Sequence, residues 1–118
     1  MPAPSPSSAL PHLAHGWLGI RTEHTSVPGS DQEGRFLISV AADSPAERAN
    51  LRVGDVILTI DGRAARRRSD ITAAMAGCAA GSVMRLEIWR RGSIFEQAIR
   101  LERIPRERRL QRRAGDLA

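Results

Sequence analysis

Lysine does not occur in this chain; all 18 basic residues are arginine. Cysteine occurs once, at position 78, which excludes an internal disulfide and a zinc site built on cysteines. Aromatic residues make up only 3%, and no base-reading motif is present, which argues against sequence-specific nucleic-acid recognition. No run of about 18 apolar residues exists, so nothing reads as a membrane-crossing helix. The opening MPAPSPSSALPHLAHG lacks a basic start followed by an apolar core and does not read as a secretory leader. The expected compartment is the cytoplasm if the chain is complete, and the periplasm if it is a fragment of an exported protease.

Catalytic patterns are missing too. There is no G-x-S-x-G and no H-E-x-x-H. His12, His15 and His24 stand in segments without paired carboxylates or metal-ligand spacing. The Gly-Ser pairs at 29–30, 81–82 and 92–93 lack the flanks of a nucleophile loop. The expectation is a non-enzyme with no cofactor and no metal.

What is present suits one small domain: 118 residues, 42% of them apolar, with a net charge of +5. The positive excess sits at the end, where residues 103–118 hold six arginines against Glu107 and Asp116. Residues 1–15, rich in Pro, Ser and Ala, read as a flexible lead-in, residues 16–103 as the domain, and 104–118 as an arginine-rich tail. Such a tail is either a solvated extension or an electrostatic contact with nucleic acid, an anionic membrane or an acidic partner.

Within the domain, residues 17–22 read as a first strand, 23–34 as a long loop and 35–41 as a second strand. In that second strand Phe36, Ile38 and Val40 share the apolar face, with Leu37 partly buried on the other. Ser44 and Glu47 form a capping box around Pro45, and the short helix ends at Asn50, a residue that tolerates the left-handed conformation. Val56, Ile57, Leu58 and Ile60 make a buried strand closed by Asp61-Gly62. Ser69 caps a helix to about residue 76, with Ile71, Ala74, Met75 and Cys78 at helical spacing. A final hairpin turns at Arg91-Gly92, with Met84, Leu86 and Ile88 on one inner face and Phe95, Ile99 and Leu101 on the other. The fold class is α+β, mostly β: a partly open barrel of five or six short strands with two helices.

Gly19 is the odd residue, for it interrupts the apolar run Trp17-Leu18-Gly19-Ile20. A glycine in a strand often marks a close approach by another backbone or a ligand. The combination of GWLGI, SPAERANLRVGDVILTIDG, a short helix and a terminal hairpin resembles a PDZ domain, most closely the bacterial form attached to HtrA-type serine proteases, over residues 16–102. The resemblance implies a peptide-binding module of protein quality control that takes apolar C-termini of proteins, or extended peptides, beside a protease domain on this or another chain. It implies a carboxylate-binding loop at Trp17, Leu18, Gly19 and Ile20, and a ligand strand laid along Arg21 and Thr22. It also implies a side-chain pocket of Leu18, Ile20, Ile71, Ala74 and Met75. His15 stands where the family often has Arg or Lys supporting the ligand carboxylate. Each residue has a plainer reading: Trp17, Leu18, Ile20, Ile71 and Met75 as core, His15 as a solvated side chain, Cys78 as a small buried hydrophobe.

Overall fold

The computed structural model describes residues 16–104. His15, the rest of the lead-in and residues 105–118 of the arginine-rich tail lie outside the described residues. The chain forms β1 (Ile20–Ser26), β2 (Glu33–Val40), α1 (Pro45–Arg48), β3 (Val56–Ile60), β4 (Arg63–Ala64), α2 (Arg68–Ala76), β5 (Val83–Arg90) and β6 (Ser93–Arg100). All pairings are antiparallel, in the order β1-β2-β3-β5-β6, with the short β4 hanging on β3. This is the expected mostly-β architecture. The open sheet curls so that its two ends meet at one corner, where the Trp17 N–H donates to the Glu102 carbonyl at 2.7 Å and Glu102 returns a bond at 3.3 Å.

Local chemistry explains most boundaries. The Ser44 hydroxyl accepts from the Glu47 N–H at 3.1 Å, while the Glu47 carboxylate accepts from the Asp43 N–H at 2.9 Å. Both orphan-donor devices are present, the second shifted back by one residue. Asn50, at φ 65°, closes the helix in the left-handed region. The tight hairpins turn on Asp61-Gly62 and Arg91-Gly92, all four at positive φ.

Three expectations need correction. The first strand starts later, at Ile20, and runs on to Ser26, so the loop shrinks to residues 27–32. Its polar residues belong to a solvated hairpin end, where the backbone ladder rather than burial makes the strand; His24 there hydrogen-bonds Glu33 across the ladder. The faces of β2 are also exchanged: Leu37 is fully buried, Arg35 is buried, and Ile38 is 37% exposed. An irregularity between Arg21 and Thr22 pairs them with Ser39 and Leu37, passing over Ile38, and so shifts the phase of the alternation. Finally, α2 begins at Arg68, and Asp70 rather than Ser69 caps it, accepting from the Arg66 and Arg67 N–H groups at 2.9 Å each.

Met84, Leu86 and Ile88 are fully buried and join Leu18, Ile20 and Leu37 in the main core. Trp89 falls on the other face of the sheet, partly buried against Val27, Val56 and Leu58.

One ion pair ties the loop after α1 to the sheet. Asp55 is 2% exposed, and Arg90 grips it with two bonds of 2.7 Å, from Nε and from Nη2. The same guanidinium reaches the Asn50 carbonyl at 2.9 Å and lies over the Phe95 ring. The bond to Asp55 raises the Arg90 pKa above its ordinary value. Removing only the cation strands a buried carboxylate, which costs about 3–5 kcal/mol, a large share of the stability of a small domain. Arg90→Met is therefore expected to lower the unfolding free energy measured by urea titration by that amount; an unchanged value would show that Asp55 does not depend on Arg90.

Candidate functional site

The segment before β1 is held from three sides. The Gly16 N–H donates to the Cys78 carbonyl at 2.8 Å, which fixes its start beside the end of α2. The Leu18 carbonyl accepts from the Ala46 N–H at 3.0 Å and the Gly19 carbonyl from the Ala41 N–H at 2.8 Å, so both carbonyls are tied inward. Among the described residues, the N–H groups of Leu18 and Gly19 donate to none of the bonds that hold this loop. Trp17, by contrast, has committed its N–H to Glu102. Its indole Nε1 is buried with no partner among the described residues.

Gly19 adopts φ +87°, and a Cβ built there would stand 2.3 Å from the Cβ of Ser44 and 2.8 Å from its hydroxyl oxygen. The close approach signalled by the sequence is thus filled, in part, from within: the N-cap of α1 presses on position 19. A β-branched residue at 19 would collide with that cap. With both carbonyls tied inward, the trans peptides point the Gly19 and Ile20 N–H groups the other way.

Strand β1 is an edge of the sheet. Ile20 lies opposite Val40, and the bond from Ala41 back to Gly19 marks that pair as the non-hydrogen-bonded kind, whose N–H and C=O point away from the partner strand. Thr22 lies opposite Leu37, which directs its own N–H to Asp55 and its carbonyl to Gly54 on the far side. Ile20 and Thr22 therefore present their backbone groups to the outer edge. Helix α2 packs along that strand. Its C-terminal end lies near Gly16, and the charges of its N-terminal turn, Arg68 and Asp70, act on Arg35 of the β1–β2 hairpin. The helix thus runs antiparallel to β1, with its C-terminal end beside the loop that carries the Leu18 and Gly19 N–H groups.

Four of the five expected pocket residues meet in the main core. Leu18, Ile20, Ile71 and Met75 are all buried in one cluster, so the structure places them as packed core side chains. Met75, 8% exposed and unbranched, is the least buried of the four. Ala74 packs against the cluster but lines a separate cavity of about 170 Å³ with Ile60, Arg63 and Ala64. Arg21 is exposed on β1 and Thr22 half-buried. His15, the expected carboxylate support, lies outside the described residues. Cys78 is half-buried against the core, and burial pushes its thiol pKa up, with Asp61 adding to the effect.

The sequence alone missed one residue. Arg35 is 6% exposed and lies along the α2 side of β1, its Nε donating to Thr22 Oγ1 and its Nη2 to the Thr22 carbonyl, both at 3.0 Å. Burial pushes its pKa down from the ordinary value. An arginine two residues before the fully buried Leu37 carries the signal, but only once the phase of β2 is known.

Comparison with known proteins bears on this geometry. A family model described as a PDZ domain matches residues 16–101. The chain belongs to the PDZ family. Among curated proteins it is 24% identical over 102 residues to the Probable periplasmic serine endoprotease DegP-like of Brucella suis biovar 1, covering 81% of this chain and 20% of that protein. The same-named protein of Pseudomonas fulva is 30% identical over 87 residues, covering 69% and 18%. The chain thus spans about a fifth of these proteases, and the likeness extends to their PDZ portion alone. Among solved structures, the HtrA-type protease AlgW with decapeptide aligns with a TM-score of 0.69 at 26% identity, over 78% of this chain and 30% of that one. The HtrA3 PDZ domain bound to a phage-derived ligand (FGRWV) aligns with a TM-score of 0.62 at 25% identity, over 75% and 86%.

Two outcomes follow from this PDZ domain's loop. Gly19→Ala is expected to lose about 3 kcal/mol, combining about 1–2 for the left-handed conformation with about 1–3 for overpacking on Ser44. Gly29→Ala, at φ +74° with nothing within 4 Å, is expected to lose only the conformational part; equal losses in thermal melts would remove the Ser44 contact from the explanation. Cys78 is expected to react with a thiol reagent at pH 8 far more slowly in the folded protein than in urea, because its raised pKa keeps it protonated.

Proposed function

We propose that this PDZ domain binds the C-terminal ends of other polypeptides by strand addition along β1, as a non-catalytic adaptor or regulatory part of an HtrA-like protease system. The observation that carries this is the union of the Leu18 and Gly19 N–H groups, unclaimed among the described residues, with the outward-facing backbone of Ile20 and Thr22. A terminal carboxylate docks on the loop amides, the last residue pairs with Ile20, and the third from last pairs with Thr22. The last side chain enters between Leu18, Ile20, Ile71 and Met75. That lining favours a medium apolar residue, and the HtrA3 ligand, which ends in valine, supports the choice.

The expected affinity is modest. Strand hydrogen bonds contribute about 0.5–1.5 kcal/mol each and the charged terminus about 1.5–3, with about 1.5–3 for the buried side chain. Association entropy offsets several kcal/mol of this. Parting a cluster that is already packed adds a further cost, so dissociation constants of about micromolar or weaker are expected.

The test is an array of peptides of identical sequence with free-acid or amidated ends, offered to the full chain. Valine- and leucine-ended free acids are expected to bind and their amides to bind at least about tenfold less, the loss of one charged hydrogen-bonded group. Equal signals from acid and amide would overturn recognition of a chain terminus.

A further inference from the structure

Arg35 has a property that the fold does not need. It is a buried cation whose hydrogen bonds among the described residues all go to neutral acceptors, the hydroxyl and carbonyl of Thr22. Among the described residues no carboxylate lies within ion-pair distance of it. The two acids that act on it do so from a distance. Asp70 is committed to the amides of Arg66 and Arg67, and Glu23 is exposed on the face of β1 opposite to Thr22. The contrast with Arg90, gripped in two places by Asp55, is direct. A guanidinium carries five N–H donors, and its affinity for a carboxylate fork is well above that for a neutral carbonyl.

Its position is set by the register. Thr22 turns its carbonyl to the outer edge of β1, so the guanidinium bonded to it lies at that edge, on the α2 side. A strand added antiparallel to β1 with its last residue at Ile20 sets its third-from-last residue opposite Thr22, with that side chain on the same face as the Thr22 side chain. That face holds Arg35.

We propose that Arg35 determines specificity in this groove by selecting an aspartate or glutamate as the third residue from the end of the ligand. This rests on the strand-addition reading above and deepens it: the partner is a polypeptide ending in an acidic residue, any residue, and an apolar residue. The incoming carboxylate accepts from Arg35 N–H groups left over by Thr22, while the Thr22 carbonyl, with two lone pairs, still receives the ligand N–H.

The experiment uses the full 118-residue chain and three eight-residue valine-ended peptides: a free acid with Asp at the third position from the end, the same with Asn, and the Asp peptide amidated. Fluorescence anisotropy at low salt is expected to give about tenfold tighter binding for Asp than for Asn, a ratio that shrinks with added salt. In Arg35→Met the ratio is expected to fall to about one. Because Arg35→Met leaves the Thr22 acceptors unpaired and could unfold, the unaltered chain supplies a second readout: the Arg35 Nε–H resonance is expected to shift with the Asp peptide and not with the Asn peptide. Equal binding of Asp and Asn, both well above the amide, would overturn the role of Arg35 and leave terminus recognition standing. A preference that survives in Arg35→Met would assign it to other groups and also overturn the role. Free acid and amide binding alike would overturn the strand-addition reading itself, and this inference with it.

Discussion

The contact of Gly19 with Ser44 is the point on which the molecule turns. At that spot a backbone without a side chain lies against the N-cap of α1. The Gly19 and Leu18 carbonyls reach Ala41 and Ala46 on either side of it. Because both carbonyls are satisfied inward, the Gly19 and Ile20 N–H groups of the same trans peptides are turned the other way. Packing and potential recognition are therefore two consequences of one left-handed residue. The short α1, with four residues, is too small to be stable alone; it persists because its cap is wedged under the loop it supports.

The proposed site beside β1 has a second layer of economy. Leu18, Ile20, Ile71 and Met75 belong to the main core. On the proposed reading they also wall the site, so opening it would disturb the core, and the free energy of repacking would be subtracted from every binding event. A groove of that kind would suit transient contacts.

Much of this was legible in the residues. Glycine, asparagine and proline at special positions announced α1, the Asp61-Gly62 and Arg91-Gly92 turns and the peculiar loop, because their conformational requirements are local. The buried run 56–60 and the inner faces of β5 and β6 followed from simple alternation. What escaped were features decided by cross-strand pairing. The polar end of β1 is a strand only because β2 lies beside it. The exchange of Leu37 and Ile38 between faces depends on an irregularity in the ladder that no single strand encodes. With that phase wrong, nothing in the strand pattern singled out Arg35, which is a buried cation against Thr22. Asp70 outcompeted Ser69 as a cap because its carboxylate reaches back to two amides at once.

An edge left open for a visiting strand is equally open to the edge of another copy, and a flat row of unpaired backbone groups is a template for aggregation. The Arg35 guanidinium, seated on the Thr22 carbonyl, sets a positive charge where a second β1 would dock. Two such copies approaching edge to edge would bring like charges together.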